Sequence, residues 1–135
     1  MPSRTASCSC GQLRIAVSGD PLGVGICHCL ACQRRTGSVF ATLAAFPPPY
    51  EVNGRATEFV RTGDRGGRFT FRFCPVCGTT LYHTEEGQEA SFVLVAVGAF
   101  ADPDYPAPQD SVYDCRRHGW VRLPPGTATY DKDPD

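Results

Sequence analysis

The chain is nearly without lysine: Lys132 stands alone, and all other basic side chains are arginine. The formal net charge of -1 leaves no basic excess, so no nucleic-acid partner is expected. No apolar run approaches the ~18 residues of a membrane-spanning helix, so no membrane association is expected. The opening stretch Met1-Pro2-Ser3-Arg4-Thr5-Ala6-Ser7 has no apolar core of a secretory leader. A cytoplasmic location is the expectation, and there thiols stay reduced. Internal repeats and long linkers are also absent. A chain of 135 residues fits one domain, and a domain of that size buries about two-thirds of its unfolded surface.

What the chain has in quantity is glycine and proline, 14 and 12 residues, together about a fifth of the total. With 41% hydrophobic residues, this composition predicts many short strands and turns rather than long helices. Leu13, Ile15 and Val17 alternate with Arg14, Ala16 and Ser18, the pattern of a half-buried strand. Further strands are predicted at 22–26, 39–46, 57–61, 68–73, 79–84 and 91–97. Phe92-Val93-Leu94-Val95-Ala96-Val97 is almost unbroken and predicts a central strand. Phe69, Phe71 and Phe73 share one strand face and read as core, with Arg68 and Arg72 on the other. One helical turn is predicted at 32–37. The chain is expected to return to the core at 112–121 through Trp120, and the tail from 130 to 135 to fray. The fold class is all-β.

Seven of the eight cysteines fall into tight clusters: Cys8/Cys10, Cys27/Cys29/Cys32 and Cys74/Cys77. Gaps of one or two residues let sulfurs converge on one tetrahedral metal, most simply zinc held by thiolates. The two pairs supply four sulfurs, a closed site whose metal would act as folding energy of about 10–16 kcal/mol. The triple supplies three and leaves one position free. It is either an open functional site or a second structural one completed by His28, His83, His118 or Cys115. His28, between two ligands, is expected to support them or to lie at the surface. His83 and His118 read as ordinary polar residues, and Cys115 as a small buried hydrophobe. Seven thiolates and two divalent ions would take the net charge to about -4.

Three motifs carry a resemblance: Cys8-Ser9-Cys10-Gly11, then Cys27-His28-Cys29-Leu30-Ala31-Cys32 running into Gln33-Arg34-Arg35-Thr36-Gly37-Ser38, then Phe73-Cys74-Pro75-Val76-Cys77-Gly78-Thr79. In this order they resemble the glutathione-dependent formaldehyde-activating family, which includes the centromere protein V domain. Gly98-Ala99-Phe100-Ala101-Asp102-Pro103 and Trp120 are similar to that family too. The resemblance implies one domain over residues 5–123, with 1–4 and 124–135 as tails. It implies an Mss4-like β-tent of short antiparallel strands held by two zinc ions. It makes Cys8, Cys10, Cys74 and Cys77 the ligands of a structural zinc, and Cys27, Cys29 and Cys32 those of a catalytic one. The implied activity is that of a carbon–sulfur lyase joining glutathione, or a similar thiol, to formaldehyde or another small aldehyde.

In that chemistry a zinc-bound substrate thiol is deprotonated, whereas a free thiol has a pKa near 8.5. A zinc already carrying three thiolates is a poor Lewis acid, so it is expected to position the thiol rather than polarise the aldehyde. Arg34 and Arg35 follow the triple and are candidates for binding a substrate carboxylate, with Arg68 and Arg72 weaker ones. The alternative is a non-catalytic, zinc-stabilised module that binds a thiol or a protein.

Overall fold

The computed structural model describes residues 2–133. The described residues form eleven strands and one short α-helix. Three strands, β1 (Ser3–Ser7), β2 (Arg14–Ser18) and β5 (Glu51–Asn53), form a small antiparallel sheet in the order β1-β2-β5. The other eight make a second sheet. Its order runs β11 (Ala128–Thr129), β10 (Asp110–Val112), β3 (Gly23–Cys27), β4 (Ala41–Phe46), β9 (Val93–Ala96), β8 (Thr80–Glu85), β7 (Arg68–Phe73), β6 (Thr57–Thr62). The predicted central strand is therefore β9, held between β4 and β8.

Side-chain alternation gives the large sheet two distinct faces. Val24, Ala44, Phe46, Val93, Val95 and Tyr82 face the small sheet and pack with Ala6, Leu13, Ile15 and Val17. Gly23, Gly25, Cys27, Leu43, Ala45, Leu94 and His83 belong to the opposite face, as the pairings Gly25↔Leu43, Ala45↔Leu94 and His83↔Leu94 show. The core thus lies on one side of the sheet and the other side remains free for a site.

All-β architecture is observed, with differences at the edges. Strand β1 begins inside the stretch read as a tail; its Ser-Arg-Thr-Ala-Ser sequence buries only Ala6 and so carries no clear apolar alternation. Strand β10 pairs in parallel with both β3 and β11, so the sheet is not wholly antiparallel. The predicted fraying from residue 130 does not hold for the described part. The Tyr130 N–H donates to the Ser111 carbonyl at 2.8 Å, and the Tyr113 N–H to the Lys132 carbonyl at 3.3 Å. Trp120 does not anchor the return to the core: it is 69% exposed, and Val121 is buried instead. Cys115 is exposed rather than buried, because it sits in a short 3-10 turn, Asp114–Arg116, on the surface. Among the described residues no helix is long and apolar enough to cross a membrane.

Candidate metal and substrate site

The two cysteine pairs sit on turns of different sheets. Cys8 and Cys10 lie in the β1–β2 connection, Cys74 and Cys77 in the β7–β8 connection. Their four sulfurs all lie within 4.8 Å of one another. Four sulfurs at ~2.3 Å from a tetrahedral zinc stand about 3.8 Å apart. The Cys8–Cys10 and Cys10–Cys74 sulfur separations are 3.6 and 3.7 Å, close to that edge. A disulfide would need about 2.05 Å. Donors surround the cluster as they do thiolate ligands. The Leu13 N–H donates to Cys8 Sγ at 3.3 Å, and the Val76 N–H and Gln12 Nε2 to Cys74 Sγ at 3.4 and 3.0 Å. Hydrogen bonds from the Thr79 side chain and backbone hold the Cys77 thiol down at about 5. Gln12 also bridges to Arg55 in both directions. That close approach requires Gly54, where a Cβ would fall 1.9 Å from the Gln12 carbonyl oxygen.

The triple forms where β3 runs into α1 (Leu30–Thr36). Cys29 caps this helix, its sulfur accepting the Cys32 N–H at 3.3 Å, and the first turn folds Cys32 back beside Cys29. Gly37 ends the helix at φ 75°, the left-handed cap that glycine adopts without strain. Cys27, Cys29 and Cys32 have their sulfurs within 4.8 Å of one another, and among the described residues no fourth His, Cys, Asp or Glu joins them. His28, His83, His118 and Cys115 therefore do not close the site. Hydrogen bonds within the cluster push the Cys27 thiol up. The bonds from Cys27 and Cys29, with the Arg35 guanidinium adding to them, pull the Cys32 thiol down to about 2. Both cysteine sets offer the sulfur-only donors that suit zinc.

The two sets differ in their outlook. Cys27, Cys29 and Cys32 line a cavity of about 490 Å³ on the free face of the large sheet, and the four-cysteine set does not. A volume in this range is typical of a small-molecule site. Its floor is bare where Gly23 and Gly25 carry no side chain. Leu43, Ala45, Leu94 and Phe69 make apolar walls, and Arg61 and His83 add polar groups. Tyr113, held at φ 53°, spans one side. Its hydroxyl donates to Asp64 at 3.1 Å and lies 3.5 Å from Asp133. Burial, followed by the charge on Asp133, raises its pKa above the ordinary tyrosine value.

The predicted substrate arginines are split. Arg35 wedges between the site and the sheet: Nη2 lies 3.5 Å from Cys32 Sγ and the guanidinium covers the Phe71 ring at 4.7 Å. It lines a second, smaller recess rather than the main cavity, and Arg34 is exposed and lines neither. Arg68 and Arg72 are ion-paired to Glu86 and Glu58, away from the cavity. Of the three phenylalanines read as core, Phe71 is buried, but Phe69 lines the cavity. His28 is wholly buried against Phe40, both ring nitrogens lacking partners, so it is not a surface residue. Gln33 ties the triple to the 113–121 segment, donating to the His28 and Arg116 carbonyls at 2.9 and 3.3 Å and contacting His118 at 3.1 Å.

Arg61, His83 and Tyr113 are cavity residues that the sequence reading missed or set aside. His83 stacks on Phe71 with centroids 4.4 Å apart. Burial first, then the charges of Arg35 and Arg61, hold its pKa down at about 3, so the imidazole is neutral at pH 7. The only signal in sequence was period-two alternation, which places Arg61, Phe69, Phe71 and His83 on one face once the register is known.

Fold and site together define a small all-β protein with one four-cysteine set and one three-cysteine set that faces a cavity. The family model for the glutathione-dependent formaldehyde-activating enzyme matches residues 3–116, and the chain belongs to this family. Its architecture is the Mss4-like β-tent that the cysteine motifs implied, two open sheets carrying the cysteine sets at their turns. A crystal structure of a Rhodobacter sphaeroides protein is similar, with a TM-score of 0.53 at 24% identity, over 70% of this chain and 85% of that one. A likeness at that identity concerns the fold. Comparison with curated proteins gives no match.

Proposed function

We propose that the protein is a zinc-dependent enzyme of the carbon–sulfur lyase type. It joins the sulfur of glutathione or a similar thiol to formaldehyde or another small aldehyde. One observation carries this reading: the three-cysteine set opens into the cavity, whereas the four-cysteine set lies outside it. Cys27, Cys29 and Cys32 would hold the catalytic zinc, and Cys8, Cys10, Cys74 and Cys77 the structural one. Bound zinc would supply acidification of the thiol that takes its remaining position.

The new carbon–sulfur bond forms as the carbonyl π bond breaks, and the thiol proton ends on the resulting hydroxyl. The chain's own residues orient and shelter this step. Leu43, Leu94 and Phe69 give the cavity apolar walls around this step. Cys29 and Cys32 are fixed by the helix cap, so the sulfur positions need no rearrangement.

Because thiols add to formaldehyde unaided, the test must measure acceleration. NMR exchange between free formaldehyde and its glutathione adduct should quicken with catalytic amounts of the zinc-loaded protein. Cys29→Ser should return the rate to background while keeping one zinc and the fold. Saturable thiol binding with no acceleration would replace the enzyme with a binding module.

A further inference from the structure

Arg61 lies on β6 with its side chain on the cavity face. Its guanidinium covers the Phe71 and Phe69 rings at 5.0 and 5.9 Å. Its Nε is buried with no hydrogen-bond partner, and among the described residues no carboxylate lies within ion-pair distance. Several other arginines differ. Arg4, Arg68, Arg72 and Arg117 each pair with an acid. Arg35 faces the sulfur of Cys32. Of the acids that line the cavity, Asp64 and Asp133 are engaged by the Tyr113 hydroxyl.

His83 stands beside Arg61 on the same wall, 5% exposed, with Nδ1 buried and unpartnered. A half-buried guanidinium against aromatic faces, with no counter-charge, is costly unless something supplies one. The fork of an arginine matches a carboxylate in two hydrogen bonds. A neutral imidazole beside it can add a further donor without repelling the cation.

We infer that Arg61, supported by His83, forms the subsite in this cavity that takes a carboxylate of the substrate thiol. The inference rests on the reading that the three-cysteine set takes the thiol, and it transfers the carboxylate role from Arg34 and Arg35 to Arg61. A thiol anchored at both ends would have its sulfur held at the triple and its acid group at β6.

The test uses S-methylglutathione, which keeps both carboxylates but has no free thiol. Calorimetric titration into the zinc-loaded protein should show saturable binding. Arg61→Gln should weaken it at least tenfold, and Arg61→Lys less. The diethyl ester should bind wild type and Arg61→Gln equally weakly. Both variants should keep two zinc ions and melt near the wild type, because among the described residues the Arg61 side chain makes ring contacts but no ion pair or hydrogen bond. Equal affinity of S-methylglutathione for wild type and Arg61→Gln, or no saturable binding, would overturn the subsite. The thiol reading is tested apart from it, through the optical spectrum of cobalt at the triple on adding reduced glutathione. A response there with no Arg61 dependence removes the subsite alone. Arg61-dependent binding with no cobalt response supports the anion site and removes the thiol reading.

Discussion

His83 shows how one residue's surroundings become a pH dependence. Its imidazole is buried on Phe71 with Arg35 and Arg61 nearby, and its folded pKa is about 3 against 6.5 for the free group. Between those values the unfolded chain binds a proton that the folded chain refuses. Stability therefore falls as pH drops from about 6.5 toward 3 and is unaffected by this group above that window. Between pH 7 and pH 5 the loss from His83 should be ~2 kcal/mol. Urea unfolding of wild type and His83→Phe at both values checks this, since acid weakening of the metal sites is common to the two. The wild type should lose more by about that amount; equal losses would mean that the imidazole accepts a proton in the folded state. At the same scale the cysteines were legible in sequence and Arg61 and His83 were not. Ligand pairs lie one or two residues apart, so spacing alone brings their sulfurs together. Arg61 and His83 share a wall only through the pairings Arg61↔Phe69 and Phe71↔His83, which no local pattern encodes. Trp120 and Cys115 misled for the opposite reason: their residue types are usually buried, but short turns placed them outside.

At the scale of elements, β3 does two jobs. Val24 and Ile26 face inward and are buried, while Gly23 and Gly25 leave the other face bare beneath the cavity. Neither glycine is forced by its backbone. A Cβ at Gly25 would meet nothing closer than the Asp110 carbonyl at 3.9 Å. Gly25→Val should therefore fold with a melting temperature no lower than wild type, helped by strand propensity. Its side chain would occupy the cavity, and thiol-dependent exchange should fall at least tenfold. Unchanged exchange in a folded Gly25→Val protein would place the reaction elsewhere. Most strands were legible because alternation or apolar runs marked them. Strands β1, β5, β10 and β11 were not, being two to five residues long and without an apolar alternation of their own. Their existence depends on tertiary partners rather than on their own pattern.

Across the whole molecule the two cysteine sets carry different loads. The four-cysteine set joins the β1–β2 connection of the small sheet to the β7–β8 connection of the large one, so a metal held there would staple the two layers. The triple joins only β3 to the helix that follows it. Cys74→Ser should then lose one zinc and unfold or melt far lower, in keeping with the ~10–16 kcal/mol that structural zinc contributes. Cys29→Ser should lose one zinc and melt within a few degrees of wild type. Metal analysis with thermal denaturation distinguishes them, and equal collapse of both would make the triple structural. The central claim is that the triple keeps a position open for a substrate thiol. Its most direct test is to load cobalt into the triple and titrate reduced glutathione while recording the sulfur-to-cobalt charge-transfer bands. The account predicts a saturable gain in those bands as a fourth sulfur binds, absent in Cys29→Ser; bands that do not change at saturating glutathione would contradict it.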